Sequence, residues 1–107
     1  MRQSASWMTI WDDRILEIIS VEGSGAASEL KERDELDIAH STISRRLKKL
    51  SEHGLLNRLA NGVYTLTDEG EAYLEGEYDA AKERYINRGE NGEDESDGAA
   101  SEPGING

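Results

Sequence analysis

The sequence predicts a mainly α fold of the α+β kind, in which three helices are followed by a two-stranded β-hairpin and a fourth helix within residues 7–88. Three observations carry this. Apolar residues recur with a helical period around residues 10–21 and 40–53; the pair Asn61-Gly62 divides two alternating segments; and Leu74, Tyr78, Ala81 and Tyr85 repeat at spacings of four, three and four.

Helix one spans about 10 to 21. Trp11, Ile15, Ile18 and Ile19, with Leu16 beside them, form one apolar stripe. Thr9 is the expected N-cap, Asp12 and Asp13 put negative charge in the first turn, and Gly23-Ser24-Gly25 stops the helix. A shorter second helix through residues 26–33, capped by Ser24 or Ser28, turns Ala27, Leu30 and Leu36 inward. After a turn over 34–39, helix three runs from His40 to His53 and ends at Gly54.

At 100° per residue, Ile43, Leu47 and Leu50 of helix three share one narrow face. Ser41, Arg45 and Lys48 lie opposite, with Thr42, Ser44 and Lys49 flanking and Arg46 near the core edge, where a long cation ordinarily snorkels or pairs with an acid. Segments 55–60 and 63–67 then alternate around Asn61-Gly62, the pair best suited to the positive φ values of a type I′ turn. Thr67 and Asp68 cap the last helix, whose Leu74, Tyr78, Ala81 and Tyr85 make a seam of the kind that pairs with a partner helix. Trp7 and Trp11 are expected to pack between helix one and this last helix, His53 to interact with the end of helix three, and His40 to fill the turn in preference to contacting a phosphate.

Charge is unevenly distributed. The 107 residues carry 23 Asp plus Glu against 12 Lys plus Arg, a formal net charge of -11. Residues 89–107 hold six acids and no Lys or Arg, have little apolar content, and read as an acidic disordered tail. The remaining 17 acids against 12 bases leave residues 1–88 at -5, so the tail does not account for all the acidity. A carboxylate-rich surface with only four Lys fits a salt-adapted, halophilic proteome. Against that background residues 38–67 hold Arg45, Arg46, Lys48, Lys49 and Arg58 with Glu52 alone, a local +4.

Several classes of chemistry find no support. Zero Cys and two His give no thiol zinc site and no disulfide framework. No apolar run is long enough for a membrane span or a secretion signal, so a cytoplasmic protein is expected. No phosphate loop, nucleophile–base arrangement or cofactor motif occurs. The expectation is a protein that is not an enzyme, with no catalytic residues, metal, cofactor or evident small-molecule ligand.

A helix-turn-helix followed at once by a hairpin is the order of a winged helix-turn-helix domain. Three blocks, W-M-T-x-x-D-D-R-I-L-E (7–17), T-I-S-R-R-L-K-K-L-x-x-x-G-L-L (42–56) and G-V-Y-x-L-T-D-E-G-x-x-Y-L-x-G-E-x-D-A (62–80), resemble the haloarchaeal proteins related to the halophage phi-H repressor. The chain departs from many of these at the turn, reading Leu36-Asp37-Ile38-Ala39 where they have Leu-Gly. The resemblance implies a repressor of transcription. The elements alone imply double-stranded DNA as partner: Ser41, Thr42, Ser44 and Arg45 would read bases, Arg46, Lys48 and Lys49 would hold phosphates, and Arg58 and Asn61 would belong to the wing. Leu74, Tyr78, Ala81 and Tyr85 would form a homodimer. The competing reading is a winged-helix module that binds a protein instead of DNA.

Overall fold

The computed structural model describes residues 1–86; the expected acidic tail lies outside the described residues. Helices α1 (Ile10–Glu22), α2 (Ala27–Lys31) and α3 (His40–Glu52) are followed by strands β1 (Leu56–Arg58) and β2 (Tyr64–Leu66), helix α4 (Asp68–Leu74), and a second pair of short strands, β3 (Tyr78–Asp79) and β4 (Arg84–Tyr85). This is the winged helix-turn-helix arrangement that the sequence predicts.

One core holds these elements. Ile15, Leu16 and Ile19 of α1, Leu30 of α2, Leu36 of the turn, Ile43, Leu47 and Leu50 of α3, and Tyr73 of α4 are each at most 2% exposed. The inner face of α3 is the one read from its periodicity, so its opposite face is necessarily outward. The helix starts at His40 as expected despite the altered turn.

Caps are more varied than expected. The Thr9 N–H donates to Asp12 Oδ2 at 2.7 Å, which ties the start of α1 to its own third residue. Neither Ser24 nor Ser28 caps α2: its N-cap is Ala26, whose N–H donates to Glu29 Oε1 at 3.1 Å. The Thr67 hydroxyl accepts from the Gly70 N–H at 2.9 Å and donates to the Gly54 carbonyl at 2.7 Å, so the cap of α4 also holds the end of α3.

The wing pairs antiparallel with Leu56 opposite Leu66, Asn57 opposite Thr65 and Arg58 opposite Tyr64. Asn61 (φ 63°) and Gly62 (φ 72°) take the left-handed conformations that their residue types favour. The Leu59 N–H donates to the Val63 carbonyl at 2.7 Å. The connection is therefore three residues, Ala60 to Gly62, instead of the two expected. A third strand-like piece completes the wing's base, because Gly25 and Tyr64 exchange two backbone hydrogen bonds of 2.9 and 2.8 Å.

The C-terminal region corrects the sequence reading. Helix α4 stops at Leu74, not beyond Tyr85. Gly76 sits at φ 79°, and the Gly76 and Glu77 N–H groups donate to the Tyr73 and Ala72 carbonyls at 3.0 and 2.7 Å. That pair of bonds is a Schellman terminator, which satisfies the last carbonyls and turns the chain away. Tyr78 then pairs with Tyr85 and Asp79 with Arg84 across two strands, with the tyrosine rings edge to face at 5.2 Å. Asp79 Oδ1 accepts from the Ala81 and Lys82 N–H groups at the turn. Leu74, Tyr78, Ala81 and Tyr85 thus form no helical seam, and Tyr78 is buried within the chain.

Residues ahead of α1 also belong to the fold. Ala5 is buried, Gln3 bridges to Asp79, and Arg2 donates to the Leu74 carbonyl at 3.0 Å and to Glu17 at 2.6 Å.

Candidate nucleic-acid interface

The outer side of α3 follows from its register. With Ile43, Leu47 and Leu50 committed to the core, Ser41, Arg45 and Lys48 are exposed, and Thr42, Ser44 and Lys49 are half-buried along the flanks. The first turn of α3 carries no acidic residue and its N-cap, Ala39, offers no side-chain acceptor. The positive end of the helix dipole therefore stays open to an anion. The Arg45 guanidinium makes one long hydrogen bond, 3.3 Å from Nη2 to Thr42 Oγ1, which a stronger acceptor can displace.

A groove of about 380 Å³ lies between α2, α3 and the wing. Ser44 and Lys48 line it from α3, Arg58, Asn61 and Gly62 from the wing, and Ser28 with Ala26 and Ala27 from α2. The wing's β1–β2 pairing and the Gly25–Tyr64 bonds hold its side of this groove in place. Ser44, Lys48, Arg58 and Asn61, all candidates from the sequence, line this groove together. Ser41, Thr42, Arg45 and Lys49 are outside the groove lining, on the exposed part of α3.

Arg46 does not belong to this face. Its Nε donates to Asp12 Oδ1 at 2.8 Å and its Nη2 to Asp12 Oδ2 at 2.7 Å and to the Trp7 carbonyl at 2.9 Å. Asp12 is 0% exposed, and a carboxylate so buried requires a cation. Hydrogen bonding to that carboxylate raises the Arg46 pKa, so the guanidinium stays charged and committed. Arg46 is a structural residue, and its proposed phosphate role is withdrawn.

Two further residues lie on this side. His40, for which the sequence favoured a turn filler over a phosphate contact, is exposed and lines the groove. Ser28, considered only as a cap, lines it as well; its exposed position opposite the start of α3 becomes visible only once α2 and α3 are packed.

At the far end of α3, Trp7 stacks on His53 with ring centroids 4.0 Å apart and planes at 15°. The stack places Trp7 over the end of α3, and both Trp7 and Trp11 pack against the core. His53 Nδ1 also meets Glu83 Oε2 at 3.0 Å. Among the described residues no group of three or more His, Asp or Glu could hold a metal ion, and no helix is long and apolar enough to cross a membrane.

The winged helix-turn-helix phage repressor family matches residues 1–84 of this chain. The crystal structure of the PhiH1 repressor-like protein from Haloarcula marismortui is 71% identical over 80% of this chain and 98% of that one, with a TM-score of 0.80. The reduced form of MarR from E. coli is 29% identical over 64% of this chain and 49% of that one, with a TM-score of 0.56. Among curated proteins none matches. With its fold, its helix order and a match across most of its length in agreement, the chain belongs to the winged helix-turn-helix phage repressor family.

Proposed function

We propose that this protein is a sequence-specific DNA-binding regulator of transcription, acting as a repressor, with α3 in the major groove and the β1–β2 hairpin as its wing. One observation carries the reading: the cations of α3 and of the wing converge on one groove and one outer helix face in a chain whose formal net charge is -11. An ordinary solvated helix face has no reason to concentrate the chain's cations beside a wing.

Arg45 is the candidate for a bidentate contact to guanine, with Ser41, Thr42 and Ser44 as shorter-range readers. Lys48, Lys49 and Arg58 suit phosphates. A homodimer would read a two-fold operator with half-sites about 34 Å apart or a multiple of that. Tyr78 is excluded from such an interface by its burial, whereas Ala81 is exposed and available.

Fluorescence-anisotropy binding in molar KCl tests the reading, using the DNA upstream of the protein's own gene and a scrambled duplex. Preference for the upstream DNA is expected. Arg45→Ala should reduce that preference selectively, and Lys48→Ala should weaken both duplexes alike. A folded protein that treats the two duplexes equally would remove sequence reading, and one that binds neither would favour the protein-interaction module.

A further inference from the structure

We propose that the acidic segment Glu90–Asp97 of this chain docks on the cationic face of α3 and the wing and competes there with DNA. The inference rests on the DNA-binding reading for its consequence, but the contact itself is independent of it.

Two features support this contact. The first is the exit of the chain. The turn between β3 and β4 is held against the C-terminal end of α3, because Glu83 meets the His53 ring at 3.0 Å and that ring stacks on Trp7. The His53 N–H donates to the Lys49 carbonyl, so this anchor lies one helical turn from Lys49. At a rise of about 1.5 Å per residue, the backbone of Arg45 is only ~12 Å further back along the helix. Ile86 is fastened in turn, its N–H donating to the Glu77 carbonyl at 2.9 Å. The acids at 90, 93, 94, 95 and 97 follow Ile86 by four to eleven residues. A chain of that length spans at most ~14 to ~38 Å, comparable with or longer than the ~12 Å along α3 between His53 and Arg45.

The second feature is charge. Arg45, Lys48, Lys49 and Arg58 form the basic face, because Arg46 is already neutralised by Asp12. The segment Glu90–Asp97 carries five carboxylates and no Lys or Arg. Elsewhere the described surface is rich in acids, with Asp68, Glu69, Glu71, Glu75 and Glu77 along and just after α4. Repulsion there disfavours α4, while the exposed Lys82 and Arg84 of the β3–β4 turn continue the positive charge from the chain's exit toward the end of α3. Tethering makes the encounter intramolecular, at an effective concentration in the millimolar range, so even a weak contact competes with a dissolved ligand. It also follows that the block weakens with salt, since the Debye length falls to about 3 Å at molar ionic strength.

The chain contains no Cys, so Ser96→Cys introduces a single site for a nitroxide label in the full-length protein. Paramagnetic broadening of backbone amides is compared between this protein and the same protein with its tail acids made neutral (Glu90→Gln, Glu93→Gln, Asp94→Asn, Glu95→Gln, Asp97→Asn, Glu102→Gln). Docking predicts strong broadening at Arg45, Lys48, Lys49 and Arg58 that the neutral tail loses; equal broadening in the two proteins, or broadening without preference for this face, overturns it. DNA affinity is measured on the same pair without label. The neutral tail should bind several-fold more tightly at moderate salt, with the difference vanishing in molar KCl, and identical affinities throughout would overturn the competition. If neither protein binds DNA, the proposed function falls while the broadening still decides the contact.

Discussion

Arg46 of α3 and Asp12 of α1 face one another in a two-pronged ion pair, Nε to Oδ1 at 2.8 Å and Nη2 to Oδ2 at 2.7 Å. Asp12 is fully buried whereas Arg46 retains 20% of its side-chain exposure, so the acid is the partner that cannot be left alone. Removing one member of a buried pair strands the other and costs about 3–5 kcal/mol. Arg46→Ala is expected to lose about that much stability in urea denaturation under high salt, while Arg45→Ala, on the exposed face of the same helix, should stay within about 0.5 kcal/mol of the parent. Similar stability losses for the two would contradict the division of α3 into a structural and a reading side.

Gly70 allows α4 to lie directly against the base of the wing. A Cβ there would stand 2.3 Å from the Leu55 carbonyl oxygen and 2.7 Å from a Leu66 methyl. Gly70→Ala, ordinarily favourable in a helix, should instead cost about 1–3 kcal/mol through overpacking. In thermal unfolding a loss of that size appears as a Tm lowered by about 4–8 °C per kcal/mol.

Tyr73 makes the stability of the fold depend on pH in the alkaline range. Burial, with a 2.6 Å hydrogen bond to the Asp13 carboxylate second, pushes its hydroxyl up to about 12 from an ordinary 10.0. A folded-state pKa above the unfolded one means that the native state holds this proton more tightly. The stabilisation is therefore complete below about pH 10 and disappears as pH rises through about 12, an effect on the order of 2–3 kcal/mol. Denaturation midpoints should fall across that window in the parent and change less in Tyr73→Phe.

Arg58 projects from an exposed position on β1 and lines the groove. Arg58→Ala is expected to leave stability unchanged, weaken specific and scrambled DNA alike, and reduce the slope of log affinity against log salt by about one. A selective loss for the upstream DNA would instead make Arg58 a base reader.

The acidic background should alter the salt response of the whole chain. Outside residues 38–67 the formal charge is -15, which repels DNA in dilute buffer and is screened in molar salt. Affinity should fall with salt less steeply than the phosphate contacts alone dictate, with a flat or rising portion at the low end. A steep linear loss from dilute buffer upward, with circular dichroism showing folded protein throughout, would reject this.

What could be read from the sequence was local. The inward face of α3, its stop at Gly54 and the hairpin tip at Asn61-Gly62 depend on residues a few positions apart, and the structure reproduces them. The seam through Leu74, Tyr78, Ala81 and Tyr85 was a false period, since spacings of four, three and four also fit residues on a helix end and a short hairpin. Gly76 was the contrary signal within that stretch, and its left-handed φ outweighed the apolar spacing. The pairing of Arg46 with Asp12, the Trp7–His53 stack and the packing of Arg2 and Ala5 link residues far apart in sequence, and no local pattern announces them. The candidate interface was legible because helical periodicity and charge coincide there; Arg46 was misplaced because charge alone does not reveal a buried partner.

The two backbone bonds between Gly25 and Tyr64 make the wing a cantilever. Its root is clamped to the α1–α2 connection, and its free end, Asn61, lies three residues beyond the clamp. Such a beam can bend at the tip to follow a wider or narrower groove, but it cannot slide sideways without tearing the clamp. The spacing between α3 and the base of the wing is thereby built into the protein, and under the proposed function a duplex would find only the tip of the wing adjustable to its groove width.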